Sequence, residues 1–161
     1  MIVKRYQIKQ ATSEQAEGIC DVLIHSIKEV CVLDHHNDPN LLRSWLSNKT
    51  PDNIRKWIQD PSNYSLSALN QNGHVIGISM INTRGEILLN YLLKDFLYQG
   101  IGKEMLKEME NFAKKQNNKI IVVTSTVTAC SFYERNGFIR RQVSSQNNEQ
   151  ITEIELCKII D

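Results

Sequence analysis

The sequence predicts one α+β domain, residues 1–161, in which helices cover both faces of a mixed, mostly antiparallel sheet. Two observations support this fold class. Amphipathic stripes with helical spacing are interspersed with short β-branched runs, and an apolar strand enters a long amphipathic helix through a polar turn with two glycines. A chain of 161 residues, 41% hydrophobic and 23% charged, is large enough to bury one core.

The first half of the chain predicts a strand, three helices and a hairpin. Thr12, with Gln15 at the capping-box position, begins the first helix, and the polar run 34–39 ends it. Asn72 and Gly73 predict a tight hairpin turn. The elements expected in order are a strand at 3–9, helices at 12–30, at 41–46 and from Pro51, and strands at 64–69 and 74–81.

The second half predicts the centre of the sheet and its main helix. Residues 87–93 are almost wholly apolar, which is typical of a central strand covered on both faces. Thr128 is expected to cap a short helix that ends at Gly137. The remaining expected elements are a helix at 100–116, a strand at 120–124 and two strands at 138–143 and 151–159 around the polar loop 144–150.

Composition excludes several classes of function. The net charge of +1 argues against a nucleic-acid or anionic-membrane partner, and no apolar run approaches the ~20 residues that span a bilayer. The N-terminal residues are too few and too charged for a signal peptide. Four scattered cysteines have no metal-binding spacing and predict reduced thiols in a cytoplasmic protein without a metal site.

The stretch 90–103 predicts a phosphate or pyrophosphate site. Gly100 and Gly102 allow a tight turn that exposes backbone N–H groups, and the following helix directs its positive dipole end to the same point. A P-loop is excluded because Leu97 and Glu104 occupy its first glycine and hydroxyl positions. A dinucleotide fingerprint is excluded because Met105 stands at its third glycine.

This glycine loop resembles the acyl-CoA loop of the GNAT superfamily of N-acetyltransferases, whose pattern is Gln/Arg-x-x-Gly-x-Gly/Ala. Gly100 and Gly102 match the pattern, and Leu97 departs from it. Residues 129–138 resemble a second family segment, Ala-x-x-x-Tyr-Glu-x-x-Gly-Phe. Together the two motifs cover about residues 86–143, and the elements before them fit the rest of a GNAT-like fold.

The resemblance implies transfer of an acetyl group from acetyl-CoA to a primary amine of a small molecule or protein, by direct attack in a ternary complex. The amine acceptor is not identified by the sequence, and a monomer or homodimer is expected. The pantetheine arm would lie along the fourth strand, and the pyrophosphate would contact loop amides. The expected acetyl-CoA-binding residues are Asn90, Leu92, Leu97, Tyr98, Gln99, Gly100, Ile101, Gly102, Lys103 and Thr126.

Two catalytic roles follow from the same resemblance. Tyr133 matches the tyrosine that protonates the departing thiolate, although it could instead be only a core aromatic residue. Glu86 matches a glutamate base with a pKa raised by burial; the alternatives are a strand-edge glutamate and deprotonation of the amine by solvent.

Asp34 and Asp38 could attract a cationic amine or could be ordinary loop residues. A catalytically silent acyl-CoA-binding or sensing module is the alternative function.

Overall fold

A computed structural model describes residues 3–146 and 150–161. Its strands are β1 Tyr6–Gln10, β2 Asn63–Asn70, β3 Val75–Asn82, β4 Glu86–Leu92, β5 Ile120–Ser125, β6 Ile139–Gln146 and β7 Gln150–Ile159. Its α-helices are α1 Ala16–Val30, α2 Val32–His35, α3 Pro39–Leu46, α4 Pro51–Gln59, α5 Ile101–Lys115 and α6 Val127–Arg135.

The described strands form a seven-stranded sheet in the order β1-β2-β3-β4-β5-β7-β6. All neighbours pair antiparallel except β4 and β5, which run parallel. The connection between these two strands contains α5, as a parallel pair requires a crossover. The predicted mixed, mostly antiparallel α+β sheet is therefore confirmed.

Two separate apolar clusters show that helices cover both sides of this sheet. Helices α5 and α6 contribute Met105, Met109 and Tyr133 to the larger cluster. Helices α1 and α4 contribute Leu23 and Ile54 to the smaller one. All five side chains are at most 3% exposed, so each helix buries the apolar stripe that its sequence spacing predicted.

The centre of the sheet is partly open, which differs from the covered strand predicted at 87–93. Strands β4 and β5 pair only at Glu86 with Val122 and at Ile87 with Val123. Just after this pairing, Met80 of β3 aligns with Leu89 while Ile81 aligns with Ile87, which leaves Leu88 as an extra, bulged residue. A bulge bends and twists its strand, so β4 turns away from β5. Leu88 is consequently 45% exposed.

Local boundaries account for the other differences from the sequence predictions. The polar run after α1 was expected to be a break, yet α2 extends into it as far as His35, and the next residue, His36, has a left-handed φ of 52°. The cap of α6 is Thr126 and not Thr128, because the Thr126 hydroxyl accepts from the Ala129 N–H at 3.0 Å. β6 extends into the expected loop as far as Gln146, and residues 147–149 lie outside the described residues.

Candidate active site

The divergence of β4 and β5 opens a cleft of about 600 Å³. Its walls come from the end of α1, from β4, from the glycine loop and start of α5, and from β5 and α6. Of the residues expected to bind acetyl-CoA or to act on it, those at the cleft are Asn90, Leu92, Leu97, Tyr98, Gly100, Gly102, Lys103, Thr126 and Tyr133. The fold thus brings together two motifs that lie about 30 residues apart in the chain.

Strand β4 presents an unpaired backbone edge to this cleft. Leu93 donates its N–H to the Ile76 carbonyl at 2.9 Å, so Leu93 and Ile76 form a hydrogen-bonded pair. Hydrogen-bonded and non-hydrogen-bonded pairs alternate along an antiparallel ladder. Asn90 and Leu92 are therefore in non-hydrogen-bonded pairs, and their N–H and C=O groups point away from β3 toward the cleft. This edge can accept one extended chain as an additional strand.

The start of α5 supplies a second set of unpaired donors. Gly100 precedes the helix with a left-handed φ of 87° and provides no side-chain cap. The first helical hydrogen bond runs from the Glu104 N–H to the Gly100 carbonyl at 3.1 Å. Within the described chain, the N–H groups of Ile101, Gly102 and Lys103 therefore have no partner. Together with the helix dipole, they favour an anionic group at this position.

The loop residues before Gly100 differ in what they can offer a ligand. The Leu97 N–H already donates to the Lys94 carbonyl at 3.3 Å, so the apolar side chain of Leu97 is what lines the cleft. Tyr98 has a left-handed φ of 62° and is 94% exposed, an unfavourable state for a bulky residue. The Gln99 side chain donates to the Asp95 carbonyl at 3.0 Å, which braces the turn.

The structure explains why the two glycines are not equivalent. A Cβ at Gly102 would meet Phe132 at 3.4 Å and Leu92 at 3.6 Å, which is ordinary van der Waals contact. Alanine therefore fits there, in agreement with the Gly/Ala alternative in the family pattern. A Cβ at Gly100 would meet no atom within 4 Å, but the left-handed φ makes any side chain there strained. Position 100 requires glycine for its conformation, and position 102 does not.

Tyr133 is a core aromatic residue that also lies at the cleft. Its ring is a core residue, 3% exposed, in edge-to-face contact with Phe132 and Phe138 at centroid distances of 5.2 and 5.3 Å. The residue lines the cleft, and its Oη accepts a hydrogen bond from Asn90 Nδ2 at 3.1 Å. Because that bond uses an oxygen lone pair, the hydroxyl proton remains available to a ligand.

Asn90 fixes the position of the phenol. Its Oδ1 accepts from the Ser79 hydroxyl at 2.9 Å, which orients the amide so that Nδ2 faces Tyr133. Burial raises the pKa of Tyr133 to about 12, and the hydrogen bond from Asn90 offsets part of that rise. The phenol is therefore neutral throughout the physiological pH range and keeps a proton that it can donate.

The structure separates Glu86 from these residues. Glu86 begins β4 at the paired end of the strand, and Asn90 lies four residues farther along. Its carboxylate accepts from Arg84 Nε at 3.1 Å, and its side chain is 47% exposed. The burial expected for this carboxylate is therefore not observed. Glu86 is not among the residues that line the cleft.

The acidic loop after α1 also has a different role from the one considered for it. Asp34 bonds to the start of α6, where its Oδ1 accepts from the Val127 N–H at 2.7 Å. Asp38 caps α3 by accepting from the N–H groups of Asn40 and Leu41 at 2.8 and 3.4 Å. Both carboxylates thus cap helices.

Sequence reasoning missed several residues at the cleft. Arg135 adds a cation to the α6 wall, and its spacing from Phe132 and Thr128 places all three on one helix face. Ser26 and Cys31, at the end of α1 and just after it, also line the cleft, and the sequence had not singled them out. Helical spacing could have indicated Arg135, whereas no local pattern marks Ser26 or Cys31.

Two further observations concern the described residues as a set. No helix among them combines the length and apolarity needed to cross a bilayer. No group of three or more described His, Cys, Asp or Glu side chains is arranged to hold a metal ion.

Solved structures resemble this fold over nearly its whole length. A GCN5-related N-acetyltransferase from Rhodopseudomonas palustris superimposes with a TM-score of 0.83 at 16% identity, covering 99% of each chain. The PaiA N-acetyltransferase of Thermoplasma acidophilum, solved in complex with coenzyme A, gives 0.78 at 19% identity over 98% of this chain and 100% of its own. An aminoglycoside 6'-acetyltransferase type Ii gives 0.70 at 13% identity, covering 95% and 96%.

The sequence itself identifies the family. No curated protein matches it. The family model for the acetyltransferase (GNAT) domain matches residues 11–158, which includes both the glycine loop and the tyrosine helix. Since that match spans most of the chain and the fold agrees with it, the protein belongs to the GNAT acetyltransferase family.

Proposed function

We propose that the protein is an N-acetyltransferase that transfers an acetyl group from acetyl-CoA to a primary amine by direct attack. The observation that carries this proposal is the convergence of three features on one cleft. These are the free β4 edge at Asn90 and Leu92, the unpaired amides at the start of α5, and the hydroxyl of Tyr133.

The cleft matches the parts of acetyl-CoA in order along its length. The amide-bearing pantetheine arm can pair with the β4 edge as an added strand. The pyrophosphate then meets the N–H groups of Ile101, Gly102 and Lys103. The exposed cations Lys103 and Arg135 both lie at the cleft and can attract the phosphates. The Thr126 hydroxyl accepts from Ala129 and can still donate one bond to the pantetheine.

The acceptor amine must lose its proton before it attacks the thioester. Glu86 is half exposed, paired with Arg84 and away from the cleft lining, so we assign no base role to it. An ordinary alkylamine has a pKa near 10.4, so roughly one molecule in a thousand is neutral at pH 7.4. Solvent supplies the neutral amine, and the acceptor nitrogen attacks the carbonyl carbon while its surplus proton leaves to water.

Tyr133 stabilises the leaving group by hydrogen bonding. As the C–S bond breaks, the electron pair moves to sulfur, and the phenol donates to the developing thiolate. The sequence predicted full proton transfer from a phenol of pKa ~10. Burial raises the pKa of Tyr133 to about 12, which keeps the phenol protonated and ready to donate. The departing thiolate takes its proton from this hydroxyl or from water.

The acceptor class is narrowed by the wall opposite Tyr133. That wall carries Ser26, Val30 and Cys31, which are uncharged, and the nearby Asp34 is committed to α6. An acceptor with a single amine fits this uncharged wall better than a polycation that needs several carboxylates. The cysteines Cys20, Cys31, Cys130 and Cys157 are free thiols, in keeping with a reducing cytoplasm.

Release of CoA across a panel of amines tests the proposal. The panel contains an alkyl monoamine, a polyamine, an aminoglycoside, a lysine peptide and a peptide with a free N-terminus, each with acetyl-CoA. Turnover of at least one amine above the no-acceptor rate is expected, together with calorimetric binding of CoA. Binding without turnover on any amine would instead support the silent acyl-CoA-binding module. Absence of CoA binding would contradict both functions.

A further inference from the structure

One carboxylate joins the two walls of the cleft. Asp34 on α2 accepts from the Val127 N–H at 2.7 Å and from the Thr128 N–H at 3.2 Å. It also accepts from the Thr128 hydroxyl at 2.5 Å. These groups lie more than 90 residues apart in the chain. Since Cys31 and Thr128 both line the cleft, the connection lies at its rim.

The hydrogen bonds that Asp34 accepts come from the first turn of α6. The first N–H groups of a helix have no acceptor within the helix. The Thr126 hydroxyl satisfies that of Ala129, and Asp34 satisfies those of Val127 and Thr128. The carboxylate also complements the positive end of the helix dipole. Asp34 therefore anchors the N-terminal end of α6 to α2.

Asp34 is itself held firmly in place. The neighbouring His35 is 1% exposed, its Nε2 donates to the Ile27 carbonyl at 2.8 Å, and its Nδ1 accepts from the Asn37 N–H at 2.9 Å. His36 and Asn37 both adopt left-handed φ angles, of 52° and 58°. Such strain persists only where the surrounding structure fixes it. The His35–Ile27 hydrogen bond thus holds α2 against the end of α1.

We infer that Asp34 is a positioning residue for the acetyl transfer, acting through Tyr133; this inference depends on the proposed function. Tyr133 is six residues after Val127, about 9 Å along α6 at 1.5 Å per residue. The hydroxyl must stay within hydrogen-bond range of the thioester sulfur, as it is of Asn90. Release of the helix end by Asp34→Ala would let α6 shift while the glycine loop and the β4 edge remain intact.

Asp34→Ala, Asp34→Asn and the control Asp38→Ala test this inference in the full-length protein. Asp38 is four residues away and caps α3 with the same chemistry, but its bonds do not reach α6. For Asp34→Ala we expect kcat to fall about tenfold, since misplacement by a fraction of an ångström reduces rate strongly. The Kd for CoA should rise much less, by about threefold at most, because Thr126 and Arg135 move with α6 while the α5 amides and the β4 edge stay in place. Asp34→Asn keeps one acceptor and should recover part of kcat. Asp38→Ala should lower Tm without lowering kcat.

A double variant distinguishes positioning from general destabilisation. If Asp34 acts through Tyr133, Asp34→Ala should lower kcat little further in a Tyr133→Phe background, because the effects of coupled residues are not additive. Independent, multiplicative losses would overturn the inference, as would an unchanged kcat in Asp34→Ala or an equal loss in Asp38→Ala. If the wild-type protein acetylates no amine, the proposed function fails and this role fails with it. Turnover by the wild type with full turnover by Asp34→Ala removes only the positioning role.

Discussion

Gly100→Ala is the most direct test of the backbone-amide site, and Gly73→Ala is its matched control. Gly100 and Gly73 have left-handed φ angles of 87° and 80°, and a Cβ at either meets no atom within 4 Å. Both substitutions therefore introduce the same backbone strain without a clash. After the gain from a less flexible unfolded chain, each should cost about 1 kcal/mol. In a chain of this size, that loss lowers Tm by roughly 2–4 °C.

The two variants should differ only in how they bind CoA. Gly100 precedes the three unpaired amides of α5, whereas Gly73 turns the hairpin between β2 and β3. If alanine relaxes the loop in the free protein, binding must restore the strained turn, and about 1 kcal/mol corresponds to roughly fivefold weaker affinity. The new methyl group also faces the open side of the loop. We expect Gly100→Ala to raise the Kd for CoA at least fivefold.

Calorimetric titration with CoA and thermal melting measure both quantities on the same samples. Gly73→Ala should melt like Gly100→Ala and bind CoA like the wild type. Equal CoA affinity in all three proteins would refute the assignment of the pyrophosphate to this turn. Equal weakening in both variants would show that the effect reports stability and not the site.

Three further predictions concern the chemistry. Tyr133→Phe should lower kcat about tenfold with an unchanged Kd for CoA, because only the leaving-group hydrogen bond is lost; unchanged turnover would remove Tyr133 from the mechanism. Burial raises the pKa of Tyr133 to about 12, and the phenol stays protonated below that pH, so kcat should not fall as the pH rises from about 8 to 10. A fall in kcat centred near pH 10 would instead indicate a phenol with its ordinary pKa. Glu86→Gln should leave kcat/KM within about twofold of the wild-type value at every pH, since the half-exposed carboxylate pairs with Arg84 outside the cleft. If the variant instead lost the rise of kcat/KM with pH, Glu86 would be the general base.

Most of the fold was predictable because its signals are local. The stripe of α5 and the turn at Gly100 follow from spacing and from backbone geometry, and both were confirmed. The exposure of β4 was not predictable, because it results from the bulge at Leu88, which depends on pairing with another strand. Asp34 could not be assigned, because its partners lie more than 90 residues away. The environment of Glu86 likewise depends on where its strand meets β5.

The roles proposed for the individual cleft residues stay predictions. Alternation along β4 places Asn90 and Leu92 with their amides toward the cleft, and motif position indicated Tyr133, but neither pattern specifies a ligand. Leu97 illustrates the limit of motif transfer, because its amide is already used within its own turn.

Because β4 and β5 pair at only two positions, the sheet has a free backbone edge that affects how the protein could associate. Proteins normally protect the free edges of their sheets, since an unsatisfied ladder is a template for pairing with another chain. Here such an edge lies in the middle of the molecule, between Leu88 and Leu92. Any extended ligand that occupies it completes the hydrogen bonding of the sheet. We therefore expect the ligand-free protein to self-associate more readily than the protein saturated with CoA.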